Sequence, residues 1–209
     1  MIGFLLRGIL IGLLFGVPAG AVGAMTVQRT WSSGVKAGLL TGLGSSVADC
    51  FYASVGAFGL TLISEFLLKG QDIIHCIGGV LILAMGIGLL LKKGSGRVKE
   101  AEASDYLRMF FSSFAVGITN PAAIITFLLA FSWFGITAET GLLKGILLVG
   151  GVFLGTFIWW GILAAATEAL KKKAKQIDLT KLNKVFGAIL SLLGAAVLIG
   201  FFSEISSMT

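Results

Sequence analysis

Asp49 lies in the middle of the apolar stretch 35–60, VKAGLLTGLGSSVADCFYASVGAFGL, and its chemistry most needs explaining. An acid at that depth in hydrocarbon costs on the order of several kcal/mol unless it is paired, solvated or protonated. Gly38, Gly42, Ser45, Asp49, Ala53 and Gly56 follow one another at spacings of three or four, which places them on one helix face. Small residues on one face let helix backbones approach closely, so Asp49 is expected to face protein rather than lipid. A carboxyl held there can take up and release protons. The other reading is a structural acid bonded to Ser45, Ser46 or a neighbouring helix.

Two further positions carry chemistry through the backbone. Pro18 sits in GVPAGAVGAM (16–25) and Pro121 in GITNPAAIITF (117–127), and these are the only prolines in the chain. Each falls about halfway through an apolar run. Proline has no N–H and its ring clashes with the preceding turn, which breaks or kinks a helix. In hydrocarbon the freed carbonyls are tolerated only where protein or a water-filled cavity covers them, so interrupted helices line pathways. Half-helix N-termini attract anionic groups and freed carbonyls attract cations. Gly20 and Gly23 allow a close approach beside the first break. Thr119 and the Asn120 amide stand beside the second. The candidate substrate residues are therefore Pro18, Gly20, Thr119, Asn120 and Pro121, with Asp49 for proton coupling and Gly23, Ser45 and Trp159 lining the path.

The elements that must hold these residues follow from composition. Of 209 residues, 56% are hydrophobic and 12% charged, and the mean hydropathy is +1.00; soluble domains carry about 25% charged residues. With about 20 apolar residues needed per span, the chain reads as an all-α integral membrane protein. Six spans are expected, at 3–26, 36–62, 73–91, 109–133, 144–167 and 184–202. The N-terminal run imitates a secretory signal but is read as the first span. Three spans, a basic connection and three more spans suggest two inverted three-helix repeats, 1–91 and 109–209 around the loop 92–108, within one membrane domain 1–209. Helices 1 and 4 of these repeats are expected to be broken at proline. The repeat is echoed by Gly34, Gly38 and Gly42 in the second span and by Gly151 and Gly155 in the fifth. These glycine faces suit packing within one subunit or a homodimer contact.

The net charge of +6 does not point to nucleic acid. Thirteen of the sixteen Lys and Arg residues fall in the first, third and fifth connections, the asymmetry that marks cytoplasmic loops. Six spans then place both termini outside. Cys50 and Cys76 lie at depths too different for a disulfide and read as free thiols. His75, the lone histidine, and Asp72 read as interfacial residues. Trp31 and Trp133 fall at span ends, where an aromatic belt is expected, while Trp159 and Trp160 are deeper. No metal-ligand cluster, phosphate loop, nucleophile elbow or dinucleotide fingerprint is present, so neither a cofactor nor enzymatic catalysis is expected.

The segment 16–60 resembles the first motif block of the LysE/RhtB-type amino-acid exporters: a proline-glycine break, a loop arginine, a glycine-spaced second helix and an acid after GLGSSVA. GITNPAAIITF resembles the second block. The resemblance covers nearly the whole chain and implies efflux of amino acids or related small metabolites, driven by the proton gradient across a bacterial cytoplasmic membrane. Pro18, Gly20, Asp49, Asn120 and Pro121 match its motif positions. Two places depart from it. Many members have Pro-Gly-Pro where this chain has Pro18-Ala19-Gly20, and many carry a lysine soon after Asn-Pro, where Ala122 and Ala123 stand here. The alternatives are a membrane thiol-disulfide electron carrier, which needs paired cysteines beside the breaks, and a passive channel or inorganic-ion carrier. One buried carboxylate is few ligands for a divalent cation.

Overall fold

A computed structural model describes residues 1–15, 20–58, 71–91, 102–120, 122–134, 136, 141–173 and 179–208. Among them there is no strand and there are eight helices: α1 Ile2–Phe15, α2 Ala21–Ser33, α3 Val35–Ala57, α4 Gln71–Leu91, α5 Ala103–Ile118, α6 Ala122–Trp133, α7 Leu142–Lys173 and α8 Leu179–Met208. Two of them, α7 and the stretch Thr180–Gly200 of α8, are each long and apolar enough to cross a membrane. Ile2–Leu14 and Cys76–Leu91 are apolar but shorter. The all-α expectation holds, and the helix ends differ from it in instructive places.

The first expected span, 3–26, is divided between α1 and α2, and α2 runs on to Ser33. Pro18 itself lies outside the described residues, as does Pro121. Gly34 then turns the chain from α2 into α3 with a single residue, at φ 88°, a backbone region closed to most side chains. Its N–H bonds the Thr30 carbonyl at 2.8 Å, closing the last turn of α2. Residues 103–108, expected in the basic loop, are helical because Glu102 and Asp105 form a reciprocal cap at the start of α5. At the far end of α7, Lys171, Lys172 and Lys173 occupy the last turn, where cations favour the helix dipole.

Packing follows small residues. Gly8 and Gly12 of α1 meet Gly151 and Gly155 of α7 so closely that a Cβ on Gly8 would lie 2.2 Å from the Leu148 carbonyl oxygen. Gly86 of α4 and Gly187 and Gly194 of α8 bring those two helices together in the same way. The largest contacts are α4 with α8 and α1 with α7, followed by α3 with α5 and with α7. One core cluster joins α1, α3, α6 and α7 through Ile11, Tyr52, Phe127, Phe131 and Leu148. A second joins α2, α5 and α8 through Met25, Val116 and Leu190, with Met85 of α4 against it. α3 contacts α2, α5, α6 and α7, which makes it the helix around which the site is built.

Candidate functional site

The faces of α3 sort by the 100° step of an α-helix. Val47 and Phe51 are exposed. Ser46 bonds Thr156 of α7, Oγ to Oγ1, at 3.0 Å, and the Cys50 thiol contacts the Val149 carbonyl of the same helix. Ser45 and Ala48 face α5, where a Cβ on Gly117 would lie 2.9 Å from the Ala48 Cβ. Asp49 falls between these two flanks, about 180° around the helix from the exposed face. Among the described residues its side chain has no ion pair and receives no hydrogen bond. Ser45 and Ser46, the partners expected of a structural acid, are buried but do not bond it. Gly38, Gly42 and Ala53 are buried, as a packed small-residue face requires.

The last turn of α5 shows how a chain interruption is accommodated. Pro121 has no N–H to give the Gly117 carbonyl, and the Asn120 N–H bonds that carbonyl instead, at 3.1 Å. The Ile118 carbonyl is the next to lose its helical partner, and it accepts the Tyr52 hydroxyl of α3. Tyr52 is 1% exposed, so this bond is made in the interior. Thr119 Oγ1 donates back to the Ala115 carbonyl at 2.7 Å. Gly78 of α4 comes up to the same residue, close enough that a Cβ there would lie 2.9 Å from the Thr119 carbonyl oxygen. The Asn120 side chain is exposed.

At the other interruption Gly20 precedes α2 in extended backbone, without a side chain to cap it. A Cβ on Gly20 would meet nothing within 4 Å, while Gly23 is buried. Ala21, Val22 and Ala24 pack against the cluster that holds Val116 of α5, one turn before Thr119. The structure therefore brings Ser45, the last turn of α5 and the start of α2 into one region, and Asp49 lies one turn beyond Ser45 on α3. Trp159 is half-buried on α7 and its indole N–H is buried without an acceptor. Trp160 fills the space opposite Gly42. Trp31 is buried, against the aromatic-belt expectation, whereas Trp133 is 87% exposed. His75 and Asp72 have no described side chains. Cys50 and Cys76 are free thiols. Among the described residues no group of three or more His, Cys, Asp or Glu is placed to hold a metal.

Sequence reasoning missed a second polar centre. Arg29, read as a loop charge and as the loop arginine of the motif block, is helical, and its Nη1 donates to the Met109 carbonyl (2.8 Å) and Thr41 Oγ1 (3.2 Å). Its Nη2 donates to Ser112 Oγ (2.8 Å). Burial, then the neighbouring Arg108, brings this guanidinium down from 12.5 to about 10, which leaves it charged at neutral pH. Beside it Gln28 donates to Asn183 Oδ1 at 2.9 Å, a buried link from α2 to α8. A cavity of about 610 Å³ opens among α2, α4, α5 and α8 at this level. Thr41 and Ser45 continue from Arg29 to Asp49 at four-residue spacing along α3. The motif block marks Arg29 as its loop arginine, but no local signal gives its partners, which lie 12 to 83 residues away.

A family model described as LysE type translocator matches residues 13–200 of the chain. The chain is also 26% identical over 145 residues to the Escherichia coli (strain K12) protein described as "Uncharacterized membrane protein YahN". That match takes in 68% of this chain and 65% of the relative, so the chain spans just under two-thirds of the relative's length. No solved structure matches the chain.

Proposed function

The chain belongs to the LysE type translocator family, and from that premise we propose that it exports amino acids or related small metabolites across a bacterial plasma membrane in exchange for protons. The observation that carries the coupling is Asp49: a carboxyl in mid-helix, turned away from the exposed face, without an ion pair or hydrogen bond from the described residues. An acid left unpaired in such a place is retained for what it does rather than for what it holds together. Substrate would sit between the end of α5 and the start of α2, where Thr119, Asn120 and the uncapped first turn of α2 offer polar groups. Pro18, Gly20 and Pro121 shape that site, and Gly23, Ser45 and Trp159 line its approach.

Alternating access would come from rocking one half against the other. Support for two inverted halves comes from the pairing of helices. α1 packs on α7 as α5 packs on α3, and α2 touches α7 as α6 touches α3. The pairs α3 with α7 and α4 with α8 map onto themselves under the same exchange. In this reading both termini face outward and the basic connections lie in the cytoplasm.

The test is uptake or release of radiolabelled amino acids by reconstituted vesicles, with and without an imposed pH gradient. Asp49→Asn should abolish gradient-driven flux while the purified variant keeps its chromatographic profile. Undiminished gradient-driven flux in that variant removes Asp49 from the mechanism. Trans-stimulation by unlabelled substrate identifies a carrier, and its absence identifies a channel.

A further inference from the structure

The cavity beside Arg29 is a second place where a ligand is called for, and the case for it does not depend on the proton-coupling role of Asp49. Arg29 and Arg108 both line it, together with Ser32 and Ser112, and Met85 and Leu190 form part of an apolar wall. Asp105 is the acid among the lining residues; its carboxylate accepts the Glu102 N–H at 3.1 Å and makes no ion pair with either arginine. Neither arginine has an ion pair among the described residues. A partly buried guanidinium next to a like charge is costly without an anion.

The geometry of Arg29 says what kind of anion. Its three hydrogen bonds use both Nη1 protons and one on Nη2. A guanidinium has five N–H donors, so the Nε proton and one Nη2 proton have no acceptor among the described residues. Two donors in a rigid planar group suit the paired oxygens of a carboxylate or phosphate. The fixed bonds to Met109, Thr41 and Ser112 hold that plane in place, so little side-chain freedom is lost when an anion arrives.

We propose that this cavity is a recognition site for the carboxylate or phosphate head of an amphiphilic organic anion, bound by Arg29 with Arg108 and with its apolar part against Met85 and Leu190. Such a head group can belong to a lipid of the surrounding leaflet or to a small soluble carboxylate. The volume, about 610 Å³, is ample for either head with several methylenes.

Thermal unfolding of the purified full-length chain in neutral detergent tests this, with dihexanoyl phosphatidate, hexanoate and, as the uncharged-head control, hexanol. Saturable stabilisation by phosphatidate or hexanoate, absent with hexanol, is expected. Response to phosphatidate alone assigns the site to lipid, and response to hexanoate alone assigns it to a soluble carboxylate. Arg29→Lys keeps the charge but loses the fork and should weaken the apparent affinity at least tenfold. Arg108→Gln, which removes none of the Arg29 hydrogen bonds, should weaken it several-fold and covers the case in which the Arg29 variant does not fold. If neither anion stabilises the protein saturably, the proposal is wrong. It is equally wrong if the folded variants respond with wild-type affinity, since a purely structural arginine would change the midpoint but not the response to ligand.

Discussion

At the scale of single residues, buried hydroxyls bond backbone carbonyls, and at a helix end such a bond supplies a partner that the helix cannot. Tyr52 is the clearest case, because its hydroxyl reaches from α3 to the Ile118 carbonyl at the end of α5. Tyr52→Phe keeps the ring and leaves that carbonyl without its partner, which costs about 1–3 kcal/mol for a buried group. A lower midpoint of thermal unfolding in detergent, with the chromatographic profile unchanged, is the expected result. An unchanged midpoint would mean that the carbonyl finds another donor. The role of Tyr52 was hidden in the sequence, where it reads as an aromatic on a buried face, because its partner lies 66 residues away. Asp49 was legible for the opposite reason: an acid inside an apolar run stands out whatever surrounds it.

At the scale of helices, close approach depends on which glycines meet and not on how many there are. A methyl on Gly12 would lie 2.4 Å from the Val152 carbonyl oxygen, whereas one on Gly150 would meet nothing within 4 Å. Gly12→Ala must push α1 away from α7 or strain both backbones, a cost of about 1–3 kcal/mol for overpacking. Gly150→Ala should be tolerated, since alanine also favours the helix by up to about 1 kcal/mol. Thermal unfolding of the two variants side by side checks the pair, and equal loss in both would refute the packing argument. The GxxxG-like spacing of Gly151 and Gly155 was visible in the sequence, but their partner was not. The expected faces served a homodimer equally well, and the fold uses the face on α7 for α1.

At the scale of the whole molecule, orientation is the property most open to a direct check. In a Cys50→Ser, Cys76→Ser background, Ser203→Cys on α8 and Lys172→Cys at the end of α7 report opposite sides of the membrane if the basic connections are cytoplasmic. A membrane-impermeant maleimide added to intact cells should label the first and not the second. The reverse pattern would invert the proposed topology. Transport retained in the double serine background would also exclude thiol exchange as the activity, because neither sulfur would remain.

Composition and hydropathy alone were enough for an all-helical membrane chain, since burying that much apolar surface in lipid leaves few other arrangements open. The sequence also carried the family's motif blocks, the acid at 49 and the positions of both prolines. The tertiary structure decided which groups face one another: Tyr52 on Ile118, Gly8 on Gly151, Arg29 on Thr41, Met109 and Ser112. It also turned Arg29 from a loop charge into a residue that lines a cavity. Periodicity is a property of one helix and can be read along the chain, whereas a contact between helices depends on rotation, tilt and depth. These are set only when all the helices pack at once.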